Sequence, residues 1–117
     1  MKLEYIDIFD DNKTKVLIIQ RDLINDEEFN EKSLFALIVD GKSMQPKILD
    51  KEVIVVDLSQ KIVLDEKIYV VHFEGKMWVK KYDETSQNFI SINPEFSHLV
   101  YNKDEVHIVG KVLDISR

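Results

Sequence analysis

Short apolar runs rich in valine and isoleucine recur along the chain, and polar clusters separate them. Runs of this length and composition are typical of β-strands rather than helices. They predict eight strands, in chain order Leu3–Ile8, Lys15–Ile19, Leu34–Val39, Val53–Asp57, Lys67–Phe73, Lys76–Tyr82, Phe89–Ile92 and Val106–Ile115. The pattern therefore indicates a mostly β protein whose sheet is bent or partly rolled.

Local signals between these runs predict turns and short helices. Glu74 and Gly75 lie between two apolar runs and predict a tight hairpin turn. The acidic segment Asp22–Asn30 predicts one short helix. The segment Ser43–Pro46 predicts a turn or a single helical turn, because proline has no amide to donate in a central strand. One or two short helices are therefore expected beside the sheet.

Composition and charge narrow the class of protein. The 117 residues are 44% hydrophobic and 32% charged, and three glycines and two prolines leave little room for a linker, so residues 1–117 are expected to form a single domain. The net charge of −6 and the scattered lysines argue that the chain does not hold nucleic acid by itself, since phosphate binding needs a clustered basic surface. No apolar run approaches the roughly 20 residues of a membrane helix, so a cytoplasmic location without membrane contact is expected.

The stretch Ala36–Pro46 carries the clearest candidate chemistry. Its apolar strand ends near Gly41, and Ser43 follows in a predicted turn. Glycine permits backbone conformations that other residues avoid, and a turn leaves amides outside any strand ladder. The amides of Lys42 and Ser43 could therefore stabilise the oxyanion of an acyl-transfer intermediate, although a serine in a strand-to-helix turn fits the same string.

A serine nucleophile needs a base, and the sequence offers histidines and lysines. The three histidines, His72, His98 and His107, have no carboxylate at an interpretable spacing and form no metal-ligand motif, so we expect them to be strand or surface residues and expect no metal or cofactor. A lysine becomes a base when an apolar site lowers its pKa by several units.

Two lysines of the strand Lys76–Tyr82 are candidates for this base. Strand alternation puts Trp78 on the face of Lys80, where its ring can shield the amine from water, and puts Lys81 on the other face. An amphipathic hairpin with surface lysines fits the same residues. The sequence pattern alone does not decide between Lys80 and Lys81 as the base.

Together these segments resemble the S24 peptidases, the family of the C-terminal domains of LexA and phage repressors and of UmuD. The resemblance covers about Leu34 to Ile115, and Ser43 and Lys80 lie 37 positions apart, as is typical of LexA-like members. The matching segments are Gly41-Lys-Ser43-Met44-Gln-Pro46, Val53–Asp57, Ile68–Phe73, Trp78-Val-Lys80-Lys81, Ser91-Ile-Asn93-Pro94-Glu95 and Glu105–Val112.

The resemblance implies a LexA-like fold and a role for each site residue. Ser43 would attack the scissile carbonyl, and uncharged Lys80 would take its proton and return it to the leaving amine. The amides of Lys42 and Ser43 would stabilise the oxyanion. The residues implied to line the site are Gly41, Met44, Pro46 and Val79.

The resemblance also implies partners and a division of the chain. Residues 1–33 would correspond to the cleavage-site region and residues 34–117 to the catalytic core. Homodimers would form through the last strand, about Val106–Ile115. A separate helix-turn-helix domain would contact DNA, because nothing upstream of Leu34 is long enough to hold one, and a RecA–single-stranded-DNA filament would trigger cleavage in the DNA-damage response.

One departure from the family affects the expected activity. Family members cut an Ala-Gly or Cys-Gly bond, and this chain contains neither pair. The aligned segment Ile8–Asn12 holds a phenylalanine and two aspartates, which do not suit a narrow cleft. We therefore expect self-cleavage to be absent or inefficient. The alternatives to a serine–lysine peptidase domain of a repressor are an inactive oligomerisation or sensing domain, a stand-alone UmuD-like protein, a signal-peptidase relative and a plain β-barrel binding module.

Overall fold

The structure is a computed structural model that describes residues 1–116. This part of the chain contains nine β-strands and four 3-10 turns, and no α-helix. The strands are β1 Lys2–Asp7, β2 Lys13–Ile18, β3 Leu34–Ile38, β4 Val53–Asp57, β5 Ile68–Phe73, β6 Lys76–Asp83, β7 Asn88–Ile90, β8 Tyr101–Asn102 and β9 His107–Val112. The 3-10 turns are Arg21–Leu23, Glu31–Ser33, Pro94–Phe96 and Lys103–Glu105. The prediction of a mostly β fold is confirmed.

The strands form two antiparallel sheets. Strands β1 and β2 pair as a hairpin, and the other seven form one sheet in the order β3-β4-β9-β5-β6-β7-β8. The last strand, β9, lies in the interior of the large sheet between β4 and β5. Strand β3 is an edge strand, and the candidate nucleophile follows directly after it.

The hairpin of β5 and β6 confirms the prediction for Glu74 and Gly75. Both residues adopt positive φ angles, 49° and 79°, as a two-residue turn matched to the strand twist requires. The register places Tyr69 opposite Lys80 and Val70 opposite Val79. This register decides which face of the sheet each lysine of β6 occupies.

The helix predicted over Asp22–Asn30 is wrong. The chain forms only the 3-10 turn Arg21–Leu23 at the start of this segment and no helix over the rest of it. Ile24 pairs with Ile115 in an isolated bridge, and the amide of Asn25 donates to the carbonyl of Asp114 at 2.8 Å. Long-range backbone pairing with the C-terminal segment therefore overrides the weak local preference for a helix.

The predicted last strand, Val106–Ile115, is shorter in the structure. Strand β9 covers His107–Val112 and continues only as the isolated bridge at Ile115. The two-residue strand β8 was not predicted, because two residues carry no periodic pattern.

Three apolar clusters form the core. One lies beneath the candidate nucleophile, and its buried members are Val39, Met44, Ile48, Ile54, Val56, Val70 and Val112. A second joins the N-terminal hairpin to β4 and the C-terminal segment. The third lies between β5, β6 and β7 and consists of Tyr69, Val71, Tyr82 and Phe89, which are all fully buried. Burial of such side chains contributes about 1.5–3 kcal/mol each.

A buried carboxylate closes the end of β4. Asp57 is 0% exposed and accepts hydrogen bonds from the amides of Asn30 and Ser59, the Ser59 hydroxyl and the Gln60 side chain, all at 2.7–2.9 Å. Burial raises the pKa of this carboxyl, but these hydrogen bonds outweigh it, so the pKa lies below its ordinary value. Asp57 thereby fixes the segment that leads into β3.

Candidate functional site

The turn after β3 presents Ser43. Gly41 has a φ of +118°, which a residue with a side chain rarely adopts, and its amide donates to the Asp50 carboxylate at 2.8 Å. Val39 exchanges hydrogen bonds with the segment Lys51–Glu52, which closes the loop between β3 and β4. The backbone is therefore fixed immediately before Ser43, whose side chain is half-buried.

Met44 anchors this turn from the other side. Its side chain is 1% exposed and belongs to the core cluster, and its carbonyl accepts the amide of Ile48 at 3.0 Å. The neighbouring Gln45–Pro46 peptide bond is cis, and Pro46 itself is exposed. Since Met44 is held in the core, the adjacent Ser43 is held at the surface of that core. The prediction of a turn at this position is confirmed.

The amides of Lys42 and Ser43 are available to a ligand. None of the hydrogen bonds formed within residues 1–116 uses either amide, whereas the carbonyl of Lys42 accepts two hydrogen bonds and that of Ser43 accepts one. Two neighbouring free amides in a rigid turn are the arrangement that stabilises an oxyanion.

Lys80 lies in the interior of the protein. Its side chain is 0% exposed, and Nζ lies 5.5 Å from the ring centre of Trp78 and 5.8 Å from that of Tyr101. Burial lowers the pKa of Lys80 to about 8, because the charged ammonium loses its hydration there. A useful fraction of neutral amine is thus present near physiological pH.

One hydroxyl accepts from this amine. Lys80 Nζ donates to Ser91 Oγ at 2.6 Å, and no ion pair of residues 1–116 includes Lys80. A nearby carboxylate would favour the ammonium and raise the pKa. Because the acceptor is the neutral hydroxyl of Ser91, burial determines the direction of the pKa shift of Lys80.

The segment Ser91–Asn93 links the serine turn to the lysine. The amide of Asn93 donates to the carbonyl of Ser43 at 2.9 Å, and its side-chain nitrogen donates to the carbonyl of Lys42 at 3.0 Å. Two residues of extended chain span at most about 7 Å. The segment therefore holds the nucleophile turn at one end and the Lys80 amine at the other.

A groove of about 510 Å³ opens beside Ser43. Its lining includes strand β3 with the turn that follows it, among them Gly41, Ser43 and Met44, and residues of β1. Met77, Trp78 and Val79 of β6 also line the groove. Strand β3 makes ladder hydrogen bonds on one side only, and β1 packs close to it.

Comparison with known proteins identifies the family. The model of the Peptidase S24-like family matches residues 7–113. The chain belongs to the S24-like peptidase family. It is also 36% identical over 94 residues to a LexA repressor of Carboxydothermus hydrogenoformans, an alignment that covers 76% of this chain and 45% of that protein. The chain therefore spans about half the length of this relative, and the similarity concerns one part of it.

Within this S24-like domain, the structure separates the two candidate lysines. Lys81 points to the opposite face of β6 and is half-buried, whereas Lys80 is fully enclosed. The histidines lie elsewhere: His72 and His107 are exposed partners across β5 and β9, and His98 is exposed after the 3-10 turn Pro94–Phe96. Among residues 1–116 no group of three or more His, Cys, Asp or Glu side chains could hold a metal ion.

Sequence reasoning missed the contributions of Ser91 and Asn93. Both stand in the segment that carries the family resemblance, but no spacing rule connects them to Ser43 or Lys80. Their roles follow from the position of the chain after β7, which only the folded sheet defines. Pro46, in contrast, was implied to line the site, and the structure places it on the exposed side of the turn, outside the groove lining.

No helix within residues 1–116 has the length and apolar character needed to cross a membrane.

Proposed function

We propose that this S24-like domain is a serine–lysine peptidase in which Ser43 is the nucleophile and Lys80 the general base. The observation that carries the proposal is the complete burial of Lys80 beside the segment that also holds the Ser43 turn. With a pKa of about 8, about a tenth of the Lys80 amines are neutral at pH 7. For an ordinary exposed lysine, the fraction of neutral amine at the same pH would be roughly several hundredfold smaller.

The proposed reaction proceeds through an acyl-enzyme. The Ser43 hydroxyl oxygen attacks the scissile carbonyl carbon while its proton passes to Lys80 Nζ, and the Lys42 and Ser43 amides stabilise the resulting oxyanion. The carbon–nitrogen bond then breaks as Lys80 returns the proton to the leaving amine. A water molecule, deprotonated by neutral Lys80, hydrolyses the ester and regenerates the Ser43 hydroxyl.

The groove favours an extended polypeptide as the substrate. Its lining is mainly apolar and includes Ile6, Phe35, Leu37, Met77 and Leu99. An extended segment bound in this groove would bury alternate side chains in this lining. Its scissile carbonyl could then approach Ser43, which follows β3 directly.

The segment Ile8–Asn12 is a poor candidate for such a strand, which supports the prediction that self-cleavage is absent or inefficient. It forms the turn between β1 and β2, with backbone hydrogen bonds from Asp10 to Asp7 and from Lys13 to Asp10. Lys15 makes ion pairs with Asp7 and Asp10 at 2.6 and 3.0 Å. Entry of this turn into the groove in extended form would break all of these contacts.

We also propose that the domain regulates transcription as part of a longer repressor. The similarity to a LexA repressor supports this role, and the net charge of −6 supports contact with DNA through a separate domain. Dimerisation would use the C-terminal segment Val106–Ile115. Because β9 pairs with β4 and β5, and the backbone of Leu113–Ile115 pairs with Val55, Ile24 and Asn25, dimerisation would use exposed side chains of this segment rather than a free strand edge. The proposal also includes a RecA filament as the trigger of cleavage and a cytoplasmic location of the protein.

Sedimentation tests dimerisation. A two-fold dimer through the side chains of Val106–Ile115 predicts about twice the monomer mass of 13.8 kDa for the wild type and a monomer for His107→Asp, an exposed position of this segment, at concentrations where both remain folded. A monomeric wild type at every concentration would contradict this part of the proposal.

A covalent probe tests the peptidase. A small acylating ester should add to Ser43, detected by intact mass and peptide mapping, and Ser43→Ala and Lys80→Ala should abolish the adduct. Lys81→Ala is the matched control, since it removes a neighbouring amine from the other face of β6 and should react like the wild type. Equal reactivity of Lys80→Ala and wild type would overturn the proposal and favour an inactive oligomerisation or sensing domain. Incubation at alkaline pH should leave the chain uncut between Ile8 and Lys13.

A further inference from the structure

The Lys80 amine has one hydrogen-bond acceptor among residues 1–116, the hydroxyl of Ser91. Ser91 follows β7 directly and is half-buried. Among residues 1–116 no hydrogen bond joins Lys80 to Ser43. We propose that Ser91 is the positioning residue of the dyad, which orients the Lys80 amine for proton transfer from Ser43. This inference rests on the proposed peptidase function and adds a third side chain to it.

The chemistry of the contact suits this role. A neutral amine carries two N–H bonds and one lone pair, and the lone pair must point to the Ser43 hydroxyl for proton transfer. Ser91 Oγ binds one N–H at 2.6 Å and thereby restricts rotation of the amine about its last carbon bond. A hydroxyl can also accept from the ammonium form, so Ser91 holds the group before and after it takes the proton.

The same segment that carries Ser91 also aligns the nucleophile. Two residues further on, Asn93 donates to the carbonyls of Ser43 and Lys42. A shift of this segment would therefore move the amine and the serine turn together. The distance between nucleophile and base is thus set by one short piece of backbone rather than by two independent loops.

The other groups around Lys80 leave Ser91 as its main polar neighbour. Tyr69 stands opposite on β5, Tyr82 lies two residues along β6 on the same face, and Tyr101 of β8 contributes a ring. Burial raises the pKa of both Tyr69 and Tyr82, so these phenols stay neutral as Lys80 titrates. No carboxylate within residues 1–116 pairs with Lys80. Removal of the Ser91 hydroxyl should therefore change the titration of Lys80.

A pair of nearly isosteric variants tests the proposal. Ser91→Thr keeps the hydroxyl, and Ser91→Val replaces it with a methyl group of similar size. For Ser91→Val we expect the rate of Ser43 acylation on its high-pH plateau to fall about tenfold or more, because the amine loses its fixed orientation. We expect the midpoint of the pH–rate profile to move to lower pH, because the lost acceptor stabilised the ammonium more than the amine.

The controls separate a positioning role from a structural one. Ser91→Thr should retain both the plateau and the midpoint of the wild type. Ser86→Ala removes an exposed hydroxyl that donates to Asp83 at 2.6 Å in the turn between β6 and β7, and it should leave the profile unchanged. A Ser91→Val protein that is less stable but keeps the wild-type midpoint and plateau would overturn the proposal.

A direct titration distinguishes failure of this inference from failure of the proposed function. The NMR signal of the carbon adjacent to Lys80 Nζ reports the protonation of the amine in the whole chain, without any peptidase activity. Its midpoint should be lower in Ser91→Val than in Ser91→Thr. If Ser43 never reacts but this difference is seen, the peptidase function fails and the Ser91–Lys80 contact stands. If Ser43 reacts and the two variants are identical, the role of Ser91 is refuted.

Discussion

Replacement of Lys80 by methionine should stabilise the protein while it destroys the proposed activity. Lys80 is fully buried, and burial lowers its pKa from 10.5 to about 8. A native pKa below the unfolded value means that the unfolded chain binds the proton more tightly. The ammonium form therefore costs stability at every pH below about 8, and this cost disappears as the pH rises towards the pKa of the unfolded chain.

The size of this effect follows from the two pKa values. At pH 6.5 the cost of the buried ammonium is about 3 kcal/mol, and at pH 9.5 it is about 1 kcal/mol. Methionine fills a similar volume without a charge but leaves the Ser91 hydroxyl without its donor, which costs about 1 kcal/mol. The variant should therefore be about 2 kcal/mol more stable than the wild type at pH 6.5 and nearly equal to it at pH 9.5.

Urea denaturation at the two pH values measures this difference. Groups that titrate in both proteins cancel in the comparison, so only the change at Lys80 remains. Lys81→Met is the control, because Lys81 is half-buried on the other face and should show no such pH-dependent gain. A Lys80→Met variant that is less stable than the wild type at pH 6.5, or whose gain does not decline by pH 9.5, would refute the reasoning about the buried amine.

Three further substitutions test the scaffold of the site. Gly110→Ala should lower the free energy of unfolding by about 3 kcal/mol, because a Cβ there would lie 2.5 Å from the carbonyl oxygen of Asp57. A urea midpoint close to that of the wild type would contradict the close approach of β9 and β4. Asp57→Asn should cost about 2 kcal/mol at pH 7, and the gap should narrow below about pH 4, because the unfolded wild-type chain then takes up a proton that the native carboxylate, with its lowered pKa, binds only at lower pH; a gap independent of pH would argue against a buried carboxylate. Asn93→Ala should slow acylation of Ser43 about tenfold or more, measured as adduct formation, and an unchanged rate would show that its bonds to the Lys42 and Ser43 carbonyls do not align the nucleophile.

Strand positions were predictable because short runs rich in valine and isoleucine between polar clusters are typical of strands; in the structure β4 and β5 are buried along most of their length. The Glu74–Gly75 hairpin was predicted correctly from its turn residues and the apolar runs on each side. The helix over Asp22–Asn30 was predicted wrongly, because the pairing of Ile24 with Ile115 joins residues far apart in the sequence. A local pattern contains no information about such a partner.

In the candidate site, too, the residues recognisable from local sequence were predicted, and those that depend on long-range contacts were not. Gly41, Ser43 and Lys80 could be singled out because each needs a recognisable environment: a positive φ, a turn, and an apolar strand. The choice between Lys80 and Lys81 required the register of β6 against its neighbours. Ser91 could not be assigned a role from the sequence, because its contact with Lys80 depends on how the chain leaves β7 and crosses the sheet.

The pH dependence of Ser43 acylation, with the adduct located by peptide mapping, tests the central claim most directly. The account predicts a single adduct on Ser43, a rate that rises with pH to a plateau with a midpoint near 8, and loss of the reaction in Lys80→Met. An adduct on another serine such as Ser91, or a rate that stays the same when Lys80 is replaced, would contradict it.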